Sequence, residues 1–261
     1  MNGLRVFLAG GLTSYRALFA WVNPWVFVPM LVAYPIFQIL FFAYLGRSAG
    51  VGSDSFFLIG DSFVAAAITG LFGMGHAIGG ERRFQTLPIL LASPTSRLAL
   101  FLGRSVPTVV NGFAVATISF GLGAWILGVH VGSRELARLA IALLVSCFAC
   151  TALGLCIGAL GLRGRNVSVF ADSIGAVMLI VSGANVPFDR LPHVVRTIAS
   201  AIPLTHGIDA ARQLANGATL AHVEDLLGAE LAIAAAYFAA GVLLLRVFER
   251  QARASGSFER F

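Results

Sequence analysis

Six predominantly apolar runs, each close to twenty residues or longer, constrain this 261-residue chain more than any other feature. They fall near residues 25–44, 56–78, 106–128, 136–162, 169–186 and 230–248. A hydrocarbon layer about 30 Å thick takes about 20 helical residues to cross, so every run is a candidate span. The runs are continuous rather than alternating. That favours helices over barrel strands, the two structures that satisfy every backbone group in lipid. With 58% hydrophobic residues, 11% charged residues and a mean hydropathy of +0.87, a water-soluble fold could not cover the apolar surface. The expected fold is an all-α integral membrane protein of six transmembrane helices. Residues 1–261 form a single domain, because no internal repeat, low-complexity tract or linker divides them.

Charge sets the expected direction of the spans. All 18 basic residues are arginine, and no lysine occurs. With the N-terminus inside, twelve arginines, among them Arg5, Arg16, Arg82, Arg83, Arg97, Arg163 and Arg250, gather in the cytoplasmic segments, and six, among them Arg47, Arg138, Arg190 and Arg212, fall outside. That bias places both termini in the cytoplasm. The net charge of +6 is then read as topology and attraction to membrane lipids. No polar domain carries a basic stripe for nucleic acid. Cys147, Cys150 and Cys156 all sit in one apolar run with no His or second Cys pair beside them, so they read as small packing residues and no metal site is expected.

Three segments do more than span. Before the first run, Leu4, Leu8, Leu12, Tyr15 and Phe19 recur at helical spacing with Arg5 and Arg16 off the stripe, an interfacial amphipathic helix or an extension of span one. Between spans two and three, Glu81, Arg82, Arg83, Phe84, Gln85, Thr86 and Leu87 open a short stretch that starts charged, turns apolar and ends at Ser93-Pro94. It reads either as a cytoplasmic surface helix able to dock on a soluble partner or as a solvated connector. Between spans five and six, Leu191, Val194, Val195, Ile198 and Ile202 form a short amphipathic pattern that Pro203 breaks. Thr205 can cap a second short helix running to Gly217.

Polar residues within the spans are few. Asp172 is a cavity or gate residue, or else pairs with Arg163, Arg165 or Arg104 at the inner interface. His76 is a proton-relay candidate or a satisfied packing histidine, and Asn111 is a candidate for hydrogen bonding between helices. Gly75-x-x-x-Gly79 and Gly154-x-x-x-Gly158 allow close helix approach, at a subunit interface or within one subunit.

The block from Glu81 to Arg97 resembles the segment joining spans two and three in ABC-2 type transporter permeases, the family of daunorubicin-type drug exporters and nodulation-factor and polysaccharide exporters. A second block is similar to the family's pattern between spans five and six: Gly183 to Pro192, including Pro187, Phe188 and Leu191, followed by Ile202-Pro203-Leu204-Thr205-His206-Gly207 and Arg212. Pro88 departs from the family, many members of which carry an acidic residue after Thr-Leu. The resemblance implies a permease subunit of an ATP-driven exporter in a bacterial plasma membrane, paired with a second permease subunit and two ATP-binding subunits. It also implies a coupling helix at Glu81 to Leu87 and two short outer helices that dip back into the membrane or rest on its surface. A nucleotide-binding P-loop needs a lysine, so ATP and Mg belong to a partner and no catalytic residue or cofactor is expected in this chain. Two other functions compete: a membrane enzyme acting on lipid-linked substrates, for which a cluster of catalytic groups is lacking, and a proton-coupled transporter, for which Asp172 is the serious buried acid.

Overall fold

The structure, a computed structural model, describes residues 24–83, 97–161 and 167–255. The amphipathic stripe from Leu4 to Phe19 lies outside them. Helix α1 (Pro24–Ala49) begins at a proline, whose fixed φ and missing N–H suit a first helical turn. A short turn with Gly50 and Gly52 at positive φ leads into α2 (Asp54–Arg83), and an Arg47–Asp54 ion pair closes that turn. Next come α3 (Arg97–Gly103), α4 (Ser105–Leu127), α5 (Ser133–Gly161) and α6 (Val167–Val181). A linking segment holds a 3-10 turn (Phe188–Arg190), α7 (His193–Ala199) and α8 (Thr205–Ala215). After a second 3-10 turn at Leu220–His222, α9 (Glu224–Ser255) ends the described chain.

Among the described residues no strand occurs, and five stretches are long and apolar enough to cross a membrane: Leu31–Ala49, Asp54–Gly79, Ala99–Leu127, Ser133–Gly161 and Glu224–Phe248. The run expected over 169–186 is different. Its helix, α6, has 15 residues, about 22 Å at 1.5 Å per residue, and it stops at Val181 because Gly183 turns the chain at φ +81°.

Helices α2 and α5 form the centre. In each, 72% of the apolar stretch is buried, against 22%, 33% and 17% for α1, α3–α4 and α9. Small residues allow the two to meet nearly backbone to backbone. A Cβ on Gly154 would lie 2.9 Å from the Gly70 carbonyl oxygen and 3.0 Å from that of Leu71; one on Gly158 would lie 2.9 Å from the Ile78 Cβ. Gly154-x-x-x-Gly158 therefore serves packing within this chain, the close-approach use of small residues in lipid. Cys147 and Cys150 are free thiols buried in the same core, and Cys156 donates through Sγ to the Tyr237 carbonyl on α9 at 2.9 Å. Among the described residues no group of three or more His, Cys, Asp or Glu could hold a metal ion.

Two glycine substitutions separate packing from propensity. Gly154→Val should push α5 off α2 and cost about 1–3 kcal/mol, the usual range for overpacking, lowering the thermal midpoint in detergent. Gly121→Ala on α4, where an added Cβ meets nothing within 4 Å, should be neutral or raise stability by up to about 1 kcal/mol.

Candidate functional site

The linking segment between α6 and α9 poses a problem that ordinary spans do not. Its backbone is irregular, yet much of it is buried: Ser182, Gly183, Ala184, Ala199, Pro203, Leu204 and Thr205 are all inaccessible. Every helix end leaves amides or carbonyls without intrahelical partners, and apolar surroundings offer no substitute. Side chains from neighbouring helices supply the partners.

The start of α8 is held by a carboxylate from another helix. Pro203 ends the preceding turn, and Leu204, fully buried, takes φ +93°, a value an L residue rarely adopts. Its amide donates to Glu230 Oε1 at 2.6 Å, and the Gly207 amide donates to Glu230 Oε2 at 3.2 Å. Glu230 lies in α9 and is 0% exposed. Its negative charge thus sits on the free amides and positive dipole end of α8. Gly207 leaves room there: a Cβ would run into Ser146 Oγ of α5 and lie 3.3 Å from its Cβ, so a side chain at this position would force Ser146 to move.

The expected cap, Thr205, has another task. It is the first residue of α8, and its hydroxyl donates backward to the Ala199 carbonyl at 2.8 Å. His206 does the same through Nε2, 3.0 Å from the Ser200 carbonyl. A carbonyl only accepts, so Nε2 carries the proton. The Pro-Leu-Thr-His motif therefore joins two helices at a corner: Thr205 and His206 bind the last carbonyls of α7 while Glu230 binds the first amides of α8. The helix ends at Asn216 and Gly217, the latter at φ +93°, the stop expected from the sequence.

At the far end of α8, Arg212 reaches across to the turn that follows α6. Its guanidinium donates to the Gly183 and Ala184 carbonyls, each at 2.8 Å, and to the Phe56 carbonyl at the start of α2 at 3.2 Å. It also lies 3.5 Å from the centre of the Phe56 ring, a cation–π contact. Burial pulls its pKa down to about 10, with Asp209 opposing the fall, so it remains a cation at neutral pH. The same turn touches α2 again just below. Gly60 meets the Ala184 carbonyl so closely that a Cβ there would collide with it. One residue on, Asp61 Oδ1 accepts from Asn185 Nδ2 at 3.1 Å and from Gln38 Nε2 of α1 at 2.9 Å. Beside these contacts a half-open cavity of about 450 Å³ is lined by Asp54, Phe56, Phe120, His130, Arg212 and Asn216, among others.

Of the residues singled out in the sequence, Pro203, Thr205, His206 and Arg212 converge on this corner. Pro187, Phe188 and Leu191 lie half-buried along the same segment. The three intramembrane candidates sit on three different helices: Asp172 is exposed on α6, Asn111 is half-buried on α4, and His76 is exposed on α2, its Nδ1 2.9 Å from the Phe72 carbonyl and its ring stacked on Phe72. Glu81, Arg82 and Arg83 form the last turn of α2, while Phe84, Gln85, Thr86 and Leu87 lie outside the described residues. Sequence reasoning passed over Asp61, Gln38, Asn185 and Glu230. An acid inside or at the edge of an apolar run is the available signal; Asp61 and Glu230 both carry it.

The family model for ABC-2 type transporters matches residues 12–215, from before α1 to the last residue of α8. The chain belongs to that family. Compared with curated proteins, it has no match. The ABC-2 match thus takes in α2, the turn after α6 and Arg212, whereas Glu230, which caps α8, lies in the helix beyond it. As a member of the ABC-2 family with several apolar helices, the chain is a membrane protein and the transmembrane component of a transporter of a kind that works with an ATP-binding partner.

Two substitutions test the corner of this ABC-2 chain. Glu230→Gln retains shape but not charge and should cost about 1–3 kcal/mol, the range for weakening hydrogen bonds to a buried charged group; the Leu204 and Gly207 amides should then exchange hydrogen faster. Arg212→Lys keeps charge but loses the planar fork, and should lower the thermal midpoint nearly as far as Arg212→Ala does.

Proposed function

We propose that this chain is the permease subunit of an ATP-driven exporter that moves a hydrophobic or amphipathic compound, a drug, a lipid or a lipid-linked glycan, out of a bacterial cytoplasm. The membership of residues 12–215 in the ABC-2 family carries this reading. These 261 residues hold no lysine and hence no P-loop, so ATP and Mg bind elsewhere, on two separate ATPase chains. A second permease, identical or not, completes the pathway. Both termini face the cytoplasm of the plasma membrane, as the arginine bias favours. The linking segment then lies at the outer side.

In that arrangement α2 is the transmission. It is one helix of 30 residues, about 45 Å long. Phe56, Gly60 and Asp61, near its outer end, hold the linking segment; Glu81, Arg82 and Arg83, at its inner end, open the stretch to Leu87 proposed to receive the ATPase. A stiff rod with a motor contact at one end and a gate contact at the other converts movement of the ATPase into movement of the outer corner. The helices α7 and α8, with Pro187, Phe188, Leu191, Pro203 and Thr205, form that gate.

The experiment is co-purification from membranes followed by reconstituted transport. An ATP-binding subunit should accompany the chain, and transport should stop when hydrolysis is blocked. Transport by the chain without any ATPase would overturn the reading. Glu81→Ala and Phe84→Ala should reduce ATPase association or transport several-fold while insertion and yield stay normal; unchanged association and transport in both would move the coupling contact elsewhere.

A further inference from the structure

Asp61 is the most enclosed acid in the bundle besides Glu230, being 1% exposed, and its two oxygens are treated very differently. Oδ1 accepts two hydrogen bonds, from Gln38 Nε2 and Asn185 Nδ2. Oδ2 is buried, and among the described residues no donor reaches it. The side chain that serves Oδ1 has the same difficulty, since Asn185 Oδ1 is also buried without a donor. Two orphaned acceptors on one hydrogen-bonded pair are costly in an apolar setting.

No cation resolves this. The chain has no lysine, and among the described residues no arginine forms an ion pair with Asp61. Arg212 is a charged group near it, yet that guanidinium donates through Nη1 and Nη2 to the carbonyls of Gly183, Ala184 and Phe56 and lies over the Phe56 ring, and its Nε is buried without a partner among the described residues. Neither of the other neighbours is charged: α1 offers Gln38 and the turn offers Asn185. Helix α4 contains no titratable side chain, and Arg138 of α5 donates to the Ala218 carbonyl. Glu230 rests on the free backbone amides and positive dipole end of α8, one donor to each oxygen; an ionised Asp61 would rest on two neutral side-chain amides that both serve Oδ1, away from any helix N-terminus, far short of what a buried charge requires.

We propose that Asp61 is a proton-binding site. The proton sits on Oδ2, where it turns one of the two orphaned acceptors into a donor. Asn185 Oδ1, the other orphan, is the acceptor such a donor needs, and the two side chains then form a doubly hydrogen-bonded acid–amide pair. Protonation removes the charge and satisfies both atoms in one step. The pair joins three pieces of the fold, because Gln38 brings α1, Asp61 brings α2 and Asn185 brings the turn after α6. Loss of the proton would leave a bare carboxylate at that junction within the field of Arg212, and would favour states in which the turn leaves α2 and water or the guanidinium reaches the acid. The proposal holds whether or not the chain is an exporter, since it concerns the folded subunit alone.

Infrared spectroscopy of the purified chain in lipid nanodiscs tests it, because a protonated carboxyl absorbs apart from both carboxylates and backbone amides. At neutral pH the wild type should show a protonated-carboxyl band that shifts on exchange into D2O and is lost in Asp61→Asn. An unchanged band in that variant, or no such band in the wild type, would overturn the proposal. Should Asp61→Asn fail to accumulate, Asn185→Ala supplies the second reading. Removing the acceptor of the proton should move the band to higher frequency, and a band that stays in place would count against the pair. Thermal melting adds the sign: the wild type should lose stability as pH rises through the titration of Asp61, whereas Asp61→Asn should show no such step.

Discussion

An amide or carbonyl without a partner is tolerated in water and hardly at all within an apolar bundle, and the linking segment between α6 and α9 is built around that fact. Its buried corner exposes both kinds of orphan. The first turn of α8 presents amides, and a carboxylate, Glu230, takes them. The turn after α6 presents carbonyls, and a guanidinium, Arg212, takes those. Charge type follows from the polarity of the chain end it serves. Neither residue needs an opposite charge beside it, because the backbone supplies the partial charges.

These anchors are unequal in origin. Arg212 lies inside the segment it stabilises, so α8 carries its own tie to α2. Glu230 comes from α9, a helix most of whose apolar surface faces outward. The corner thus depends on α9 for a single buried carboxylate and on α5 for the space that Ser146 leaves beside Gly207. Asp61 adds a tie from α2 to α1 and to the turn. Through these few side chains the short helices, which could not hold their shape alone, take on the rigidity of the long ones.

The spans were legible because length and hydropathy alone decide whether a run can cross a bilayer. The expected run 56–78 falls within α2, the runs 106–128 and 136–162 match α4 and α5 to within one residue at their far ends, and α1 and α9 continue past their expected ends. The run at 169–186 was overestimated at its far end: Ala184 and Val186 extend its apolar character past Ser182, but Gly183 at positive φ turns the chain after Val181. In the linking segment the break at Pro203 and the stop at Gly217 were visible, since proline and glycine act locally. The cap was not. Thr205 has the right chemistry at the right place, but the amides it would have served are taken by Glu230, 26 residues from Leu204 in sequence. Asp172 drew notice because it interrupts an apolar run, and Asp61 interrupts another just as plainly. What distinguishes them is burial and partners from three elements, and neither is written in local sequence.

Position along α2 gives these contacts their mechanical meaning. Phe56, Gly60 and Asp61 fall within two turns of one another at the helix's first end, where the linking segment rests on it. Further along, Gly70, Met74 and Ile78 are set against Gly154 and Gly158 of α5 with almost no intervening space. A helix pressed so closely to its neighbour cannot easily bend or slide by small amounts, since a shift of a few tenths of an ångström meets backbone rather than a flexible side chain. The pair α2–α5 therefore moves as one body or not at all. In the proposed exporter, a push at Glu81 to Arg83 would not be absorbed along the way. It would arrive at the carbonyls held by Arg212 and the amide held by Asp61, where hydrogen bonds tie the turn after α6 to that body, and at the apolar face of α8, whose Ile208, Ala211 and Leu214 share a buried core with Leu139, Leu143 and Cys147 of α5.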